Sequence, residues 1–156
     1  MQGKVVVVTG AFGVLGVAVT ECARAMGART VVIDYASAPA NLRTDPLVIG
    51  GVDLSKSEDA AAAMTRARDA AGRIDALLNI AGGFVWRTLE DSDDAAWERM
   101  HRINLKTAVN ASRAALPHLI ESGTDIASAW QDGACLFAGL AALLAGVPHI
   151  QLGIRG

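Results

Sequence analysis

The stretch VVVVTGAFGVLGVAV, Val5–Val19, constrains this chain more than any other. Four consecutive β-branched residues read as a strand buried on both faces. Gly10, Gly13 and Gly16 follow at intervals of three, and apolar residues then resume at helical spacing. Gly10 permits a tight turn. Gly13 lets the main chain approach a ligand with no side chain between them. Gly16 allows close helix packing on the sheet. A helix opening there directs free N–H groups and a positive dipole end at an anion, so the pattern points to a phosphate-bearing ligand. Glycines in this number also form plain turns, and the turn alone does not decide between the two.

The remaining text alternates in the same way. Lys4–Thr9 reads as the first strand and Val14–Met26 as the first helix, with Leu15, Ala18, Val19, Cys22 and Met26 on its packed face and Gly27 as its stop. Thr30–Ile33 is a second strand, Ala36–Asp45 a loop and Leu47–Ile49 a third strand. Ser57–Ala71 is an alanine-rich helix capped by Ser55 or Ser57. Ile74–Ile80 is the fourth strand. A long helix runs from Ser92, its candidate cap, to about Leu116, with Pro117 near its end. This order specifies an α/β fold, a Rossmann-type doubly wound parallel sheet, incomplete as far as the text carries it. Ligands of such sheets bind beyond the carboxyl ends of the strands. Thr9-Gly10, Asp34, Asp53 and Asn79 all fall there. Asp34 stands where a carboxylate meets the two hydroxyls of an adenosine ribose, which favours NAD and disfavours NADP, whose extra phosphate it repels. A solvated strand-end aspartate is the plainer reading of the same residue.

With those residues placed, the chain resembles the short-chain dehydrogenase/reductase family. Thr9-Gly10-Ala11-Phe12-Gly13-Val14-Leu15-Gly16 is similar to its Thr-Gly-x-x-x-Gly-x-Gly loop, with the middle glycine displaced to Gly13 and Val14 in its usual place. Val52-Asp53-Leu54 resembles the segment that holds the adenine through Asp53 and the Leu54 backbone. Asn79-Ile80-Ala81-Gly82 resembles Asn-Asn-Ala-Gly, with Ile80 in place of the second Asn; the backbone of this motif would line the cofactor ribose. Ile103-Asn104-Leu105 resembles the segment whose Asn organises a proton-relay water. The resemblance implies a nicotinamide dinucleotide cofactor, NAD-linked hydride transfer to or from a small alcohol or carbonyl compound, and a homo-oligomer. It makes Gly10, Phe12, Gly13, Leu15, Gly16, Asp34, Asp53, Leu54, Asn79, Ala81 and Gly82 the cofactor-binding set, with Asn104 in a catalytic role.

The family's Tyr-x-x-x-Lys pair is absent from these 156 residues. The one tyrosine is Tyr35, and the lysines are Lys4, Lys56 and Lys106. Phenol titrates near pH ~10, and a neighbouring cation is what brings it into working range. The expectation is therefore a dinucleotide-binding unit over residues 1–123, inactive by itself, followed by an atypical apolar tail over 124–156. A non-catalytic dinucleotide-binding or interaction module is the alternative. The tail fits a natural relic or a frameshift. Moving the frame by one base within Trp130-Gln131-Asp132-Gly133 yields Gly, Arg or Lys, Met or Thr, then Val, Ala, Glu or Gly, as at the family's fifth strand. Shifted codons allow Ser at Phe137 and Tyr at Ile150, but not Lys at Ile154.

Net charge −2 provides no basic surplus for nucleic acid. Two cysteines, Cys22 and Cys135, make no disulfide framework, which implies a reducing cytoplasm. Ala134–Val147 is too short to span a membrane. His101, His118 and His149 lack metal-ligand spacing. The acidic run Glu90–Asp94 suits the start of the long helix. Trp86 and Trp97 are assigned either to a substrate cleft near the nicotinamide or to the core or an interface.

Overall fold

The computed structural model describes residues 1–39, 47–124, 126–130 and 149–153, the last two segments as backbone only. Residues 40–45 of the expected loop Ala36–Asp45, Cys135 and the stretch Ala134–Val147 lie outside the described residues. Strands β1 (Val5–Thr9), β2 (Arg29–Ile33), β3 (Leu47–Ile49) and β4 (Ala76–Asn79) form one parallel sheet in the order β3-β2-β1-β4. Val7 stands level with Val31 on one side and Leu77 on the other. That registry brings Thr9, Ile33, Ile49 and Asn79 to one edge, as the alternating pattern requires.

Because β1 is covered on both faces, its valines are fully buried and divide between two cores. Val5 and Val7 join Val31, Ile33 and Ile49 beneath α2 (Ser57–Ala71) and α4 (Thr107–Glu121), which contribute Ala60, Met64, Ala111 and Ala115. Val6 and Val8 join Val32, Ala23 and Ala28 beneath α1 (Val14–Ala25).

The packed face of α1 is shifted from the expected one. Gly16, Thr20 and Ala23 are buried and the expected Val19 packs half-buried beside them, whereas Leu15, Ala18, Cys22 and Met26 are exposed. The helix carries two apolar stripes, and the sheet takes the one with smaller side chains, because these let the helix axis approach closely. The Thr20 hydroxyl is disposed of internally, donating to Gly16 O at 2.7 Å.

Three further boundaries differ from expectation. Neither Ser55 nor Ser57 caps α2: Lys56 occupies the N-cap, and the Ser55 hydroxyl donates instead to Asp53 at 2.6 Å. The long helix is α3 (Asp94–Met100), a π turn (His101–Lys106) and α4 in succession. Its cap is Asp93, which accepts from the Ala96 N–H at 2.8 Å, rather than Ser92, whose hydroxyl donates to Thr88 O. The helix passes through Pro117 to Glu121 and ends at Gly123, whose φ of +69° suits the left-handed stop.

Beyond Gly123, strands β5 (Ile126–Trp130) and β6 (His149–Gly153) pair in parallel with each other as a separate sheet. Among the described residues β4 bonds only to β1, and Ala76, Leu78 and Ile80 are half-buried.

Candidate functional site

The carboxyl ends of β1, β2 and β4 surround a cleft of about 390 Å³ lined by Gly10, Gly13, Val14, Leu15, Gly16, Asp34, Tyr35 and Ile80–Gly82. Its floor is main chain, and the reason differs at each glycine. Gly10 has φ +63°, and a Cβ there would stand 2.7 Å from Ala81 Cα. At Gly16 a Cβ would run into Gly10 O and lie 2.6 Å from Ala11 Cα. Both glycines are therefore demanded by the fold, Gly16 by the turn itself as well as by helix–sheet packing. Gly13 is different. Its φ is −74°, and a Cβ would meet nothing nearer than Gly10 O at 3.5 Å, ordinary contact. The protein does not need a glycine there; a ligand lying against the main chain would. The residues fit a diphosphate on that ground.

Asp34 is half-buried at the end of β2. Its Oδ2 accepts from the Phe12 N–H at 2.8 Å and its Oδ1 from the Ala36 N–H at 2.9 Å. Each carboxylate oxygen has a second lone pair, enough for two ribose hydroxyls. Phe12 takes part through this bond, and its side chain packs on the α1-side core.

Thr9 opens the loop motif and stands at the strand ends, but the cofactor-binding set read from the sequence gives it no role. Its hydroxyl is fully buried, accepts from the N–H groups of Ile80 and Ala81 at 3.1 and 3.2 Å, and reaches Leu78 O at 3.4 Å. This fastens the end of β1 to the segment lining the far wall. The available signal was a threonine closing an otherwise all-valine strand.

Asn104 lies in the π turn. Its amide donates to Gly83 O and Met100 O at 3.0 Å each, and its Oδ1 accepts from the Gly83 N–H at 3.1 Å. A Cβ on Gly82 would lie 2.6 Å from that Oδ1. The side chain is thus a clamp on the loop leaving β4. Thr107, buried one turn on, donates to Ile103 O at 2.8 Å.

The other sequence-selected residues are not in the cleft lining. Asn79 donates to the Ser112 hydroxyl at 2.9 Å, turned toward α4. Leu54 is core. Asp53 bonds the Ser55 hydroxyl and N–H; the hydroxyl bond chiefly holds its carboxyl below the ordinary 3.8, against a smaller upward push from burial. Trp86 is exposed and meets Phe84 edge-on, ring centres 5.8 Å apart; Trp97 is exposed on α3. Neither belongs to the core or lines this cleft.

At the opposite end of the sheet, Asp75 accepts from the Val5 N–H at 2.8 Å, Arg73 at 2.6 Å and Lys4 at 3.1 Å. Burial pushes its carboxyl up, but the Val5 N–H and the two cations outweigh that and hold it below the ordinary 3.8. It ties β1 to the start of β4. Among the described residues no cluster of three or more His, Cys, Asp or Glu is placed to hold a metal ion, and no helix is long and apolar enough to cross a membrane.

A family model described as short chain dehydrogenase matches residues 4–128. The chain is 30% identical over 128 residues to 2-(S)-hydroxypropyl-CoM dehydrogenase 3 of Xanthobacter autotrophicus, covering 78% of this chain and 50% of that protein. It is 37% identical over 120 residues to the short chain dehydrogenase ausX of Penicillium brasilianum, covering 75% and 46%. Thermoplasma acidophilum aldohexose dehydrogenase, ligand-free, superposes with a TM-score of 0.70 at 25% identity, over 83% of this chain and 48% of that one. Carveol dehydrogenase from Mycobacterium avium in complex with NAD gives 0.71 at 23% identity, over 85% and 55%, a likeness of fold. The chain spans about half the length of the curated relatives it matches.

Proposed function

Because the chain belongs to the short-chain dehydrogenase family, we propose that it is the dinucleotide-binding part of an oxidoreductase, and that its ligand is NAD(H) rather than NADP(H). The observation carrying this reading is Gly13, bare where the fold would accept a side chain, in a cleft that Asp34 also lines. The diphosphate lies against the main chain of the turn from Gly10 to Gly16, at the N-terminus of α1. Asp34 takes the adenosine ribose hydroxyls on its remaining lone pairs and repels a 2′-phosphate. The Ala81–Gly82 backbone, held by Thr9 and Asn104, forms the wall beside the second ribose. Asp53 and the Leu54 backbone are assigned to the adenine at the neighbouring strand end.

When bound, the nicotinamide supplies or accepts the hydride that interconverts an alcohol and a carbonyl compound. Asn104 holds the loop on which that end of the ligand rests, and the resemblance assigns it to organising an ordered water. None of the 156 residues forms a Tyr-x-x-x-Lys pair, so this polypeptide binds dinucleotide and by itself turns over no substrate. The test is titration with NADH and NADPH, followed by energy transfer from tryptophan to the reduced nicotinamide, beside a panel of alcohols and carbonyl compounds. NADH binding with weaker NADPH binding and no turnover is expected. Turnover by this chain overturns the assignment of its chemistry, and failure to bind either nucleotide overturns the whole reading.

A further inference from the structure

The glycine turn packs against the α1-side core through Ala11 and Phe12 but has few short hydrogen bonds of its own. Gly10 is in the left-handed region, Gly13 and Val14 are exposed, and within the turn the Gly13 N–H reaches Gly10 O at a long 3.3 Å. Ala11 N–H reaches Ile33 O at 3.4 Å, also long. Gly13 O accepts from the Val17 N–H at 2.9 Å, tying the end of the turn to α1, and the short bond at the centre of the turn is the one from the Phe12 N–H to Asp34 Oδ2, 2.8 Å. Among the described residues, Asp34 is the one side chain that bonds to the main chain between Gly10 and Gly13. The carboxylate is itself fixed: Oδ1 accepts from Ala36 N–H, while the Asp34 main chain pairs with Ile49 O and Val52 N–H at 3.1 and 3.0 Å. It is therefore a short, charged strut from β2 and the strand beside it to the centre of the turn.

We propose that Asp34 is the positioning residue of the glycine turn, holding its main chain in the anion-binding shape before a dinucleotide arrives. Diphosphate and ribose recognition are then coupled through one side chain; that consequence rests on the dinucleotide reading above. The strut separates two effects of opposite sign. Deleting a negative charge beside an anion site removes Coulomb repulsion and by that effect alone strengthens anion binding. Deleting the strut costs preorganisation and weakens it.

The probe is inorganic pyrophosphate, which has no ribose, titrated into the 156-residue chain and into Asp34→Ala. Amide hydrogen exchange of the ligand-free proteins is read alongside it. In the parent, the Phe12 amide is expected to be protected. In Asp34→Ala it should lose about tenfold or more in protection while Val7 and Val31 stay protected, and pyrophosphate affinity should fall by about tenfold, the scale of one charge-assisted hydrogen bond. Asp34→Asn, which keeps one acceptor oxygen, should fall between them and serves if the alanine variant does not fold. Pyrophosphate bound equally well or better by the variants, or a Phe12 amide unprotected in the parent, overturns the proposal. Loss of NADH binding with unchanged pyrophosphate binding removes the strut and leaves the ribose contact standing. If the parent binds no pyrophosphate, the dinucleotide reading fails, and the Phe12 amide alone decides the strut.

Discussion

Replacing Thr9 with valine isolates what one hydroxyl does for the cleft. The two side chains have nearly the same shape, so the fully buried position stays filled. Lost are the acceptor for the Ile80 and Ala81 N–H groups and the weak donation to Leu78 O. A buried donor without a partner costs about 1–3 kcal/mol. Ile80 and Ala81 are half-buried, so the lower end applies to each, about 2 kcal/mol together. With a urea m-value of roughly 2 kcal/mol/M, the unfolding midpoint drops by about 1 M at unchanged slope. NADH affinity should fall as well, roughly tenfold, because the two freed amides belong to residues that line the cleft. Thr9→Ser is the control. It loses a methyl group, about 1 kcal/mol, but keeps the acceptor and should keep parental affinity. The reasoning is refuted if Thr9→Val is as stable as the parent, or if serine and valine lower affinity alike.

Four other outcomes follow from the same geometry. Gly16→Ala should destabilise the fold by about 2–3 kcal/mol in denaturant melts, because its Cβ meets main chain that has no room to move. Asp75→Asn should cost about 2 kcal/mol at pH 7. Because the Asp75 carboxyl sits below 3.8 in the folded chain, its contribution is fully present above about pH 4 and is lost as pH falls through the folded value, so parent and variant melts should converge in acid. Gly82→Ala and Asn104→Ala should be non-additive by about 1 kcal/mol in a double-mutant cycle, since the added Cβ strikes the amide that the second change removes. Finally, coding DNA read one base out of register from Trp130–Gly133, just past the family match ending at residue 128, should encode a further strand and a tyrosine; a shifted frame with neither removes the frameshift reading of the tail.

The sheet was legible because its signals are local. Four valines before a glycine, and acids or amides at strand ends, fix strand positions and direction without tertiary information. The packed face of α1 was not legible, since periodicity measures hydrophobicity and the sheet selected for smallness at Gly16, Thr20 and Ala23. Capping by Asp93 rather than Ser92 turned on which neighbouring oxygen reaches Ala96 N–H, one residue apart. The π turn leaves no periodic trace over six residues. In the site, the glycine turn and Asp34 stood out by spacing. The partners of Thr9 and Asn104 did not, because they lie 71 to 72 and 21 residues away in the chain. The partner of the Asn79 side chain was illegible for the same reason, since Ser112 lies 33 residues on.

Gly13→Ala, titrated with NADH by tryptophan-to-nicotinamide energy transfer, tests the central claim most directly. The new methyl group fits the protein, with Gly10 O at 3.5 Å, and changing the cap residue costs at most about 1 kcal/mol. A protein that melts close to the parent yet binds NADH at least tenfold more weakly is the predicted result. A folded Gly13→Ala protein with parental NADH affinity would contradict the account.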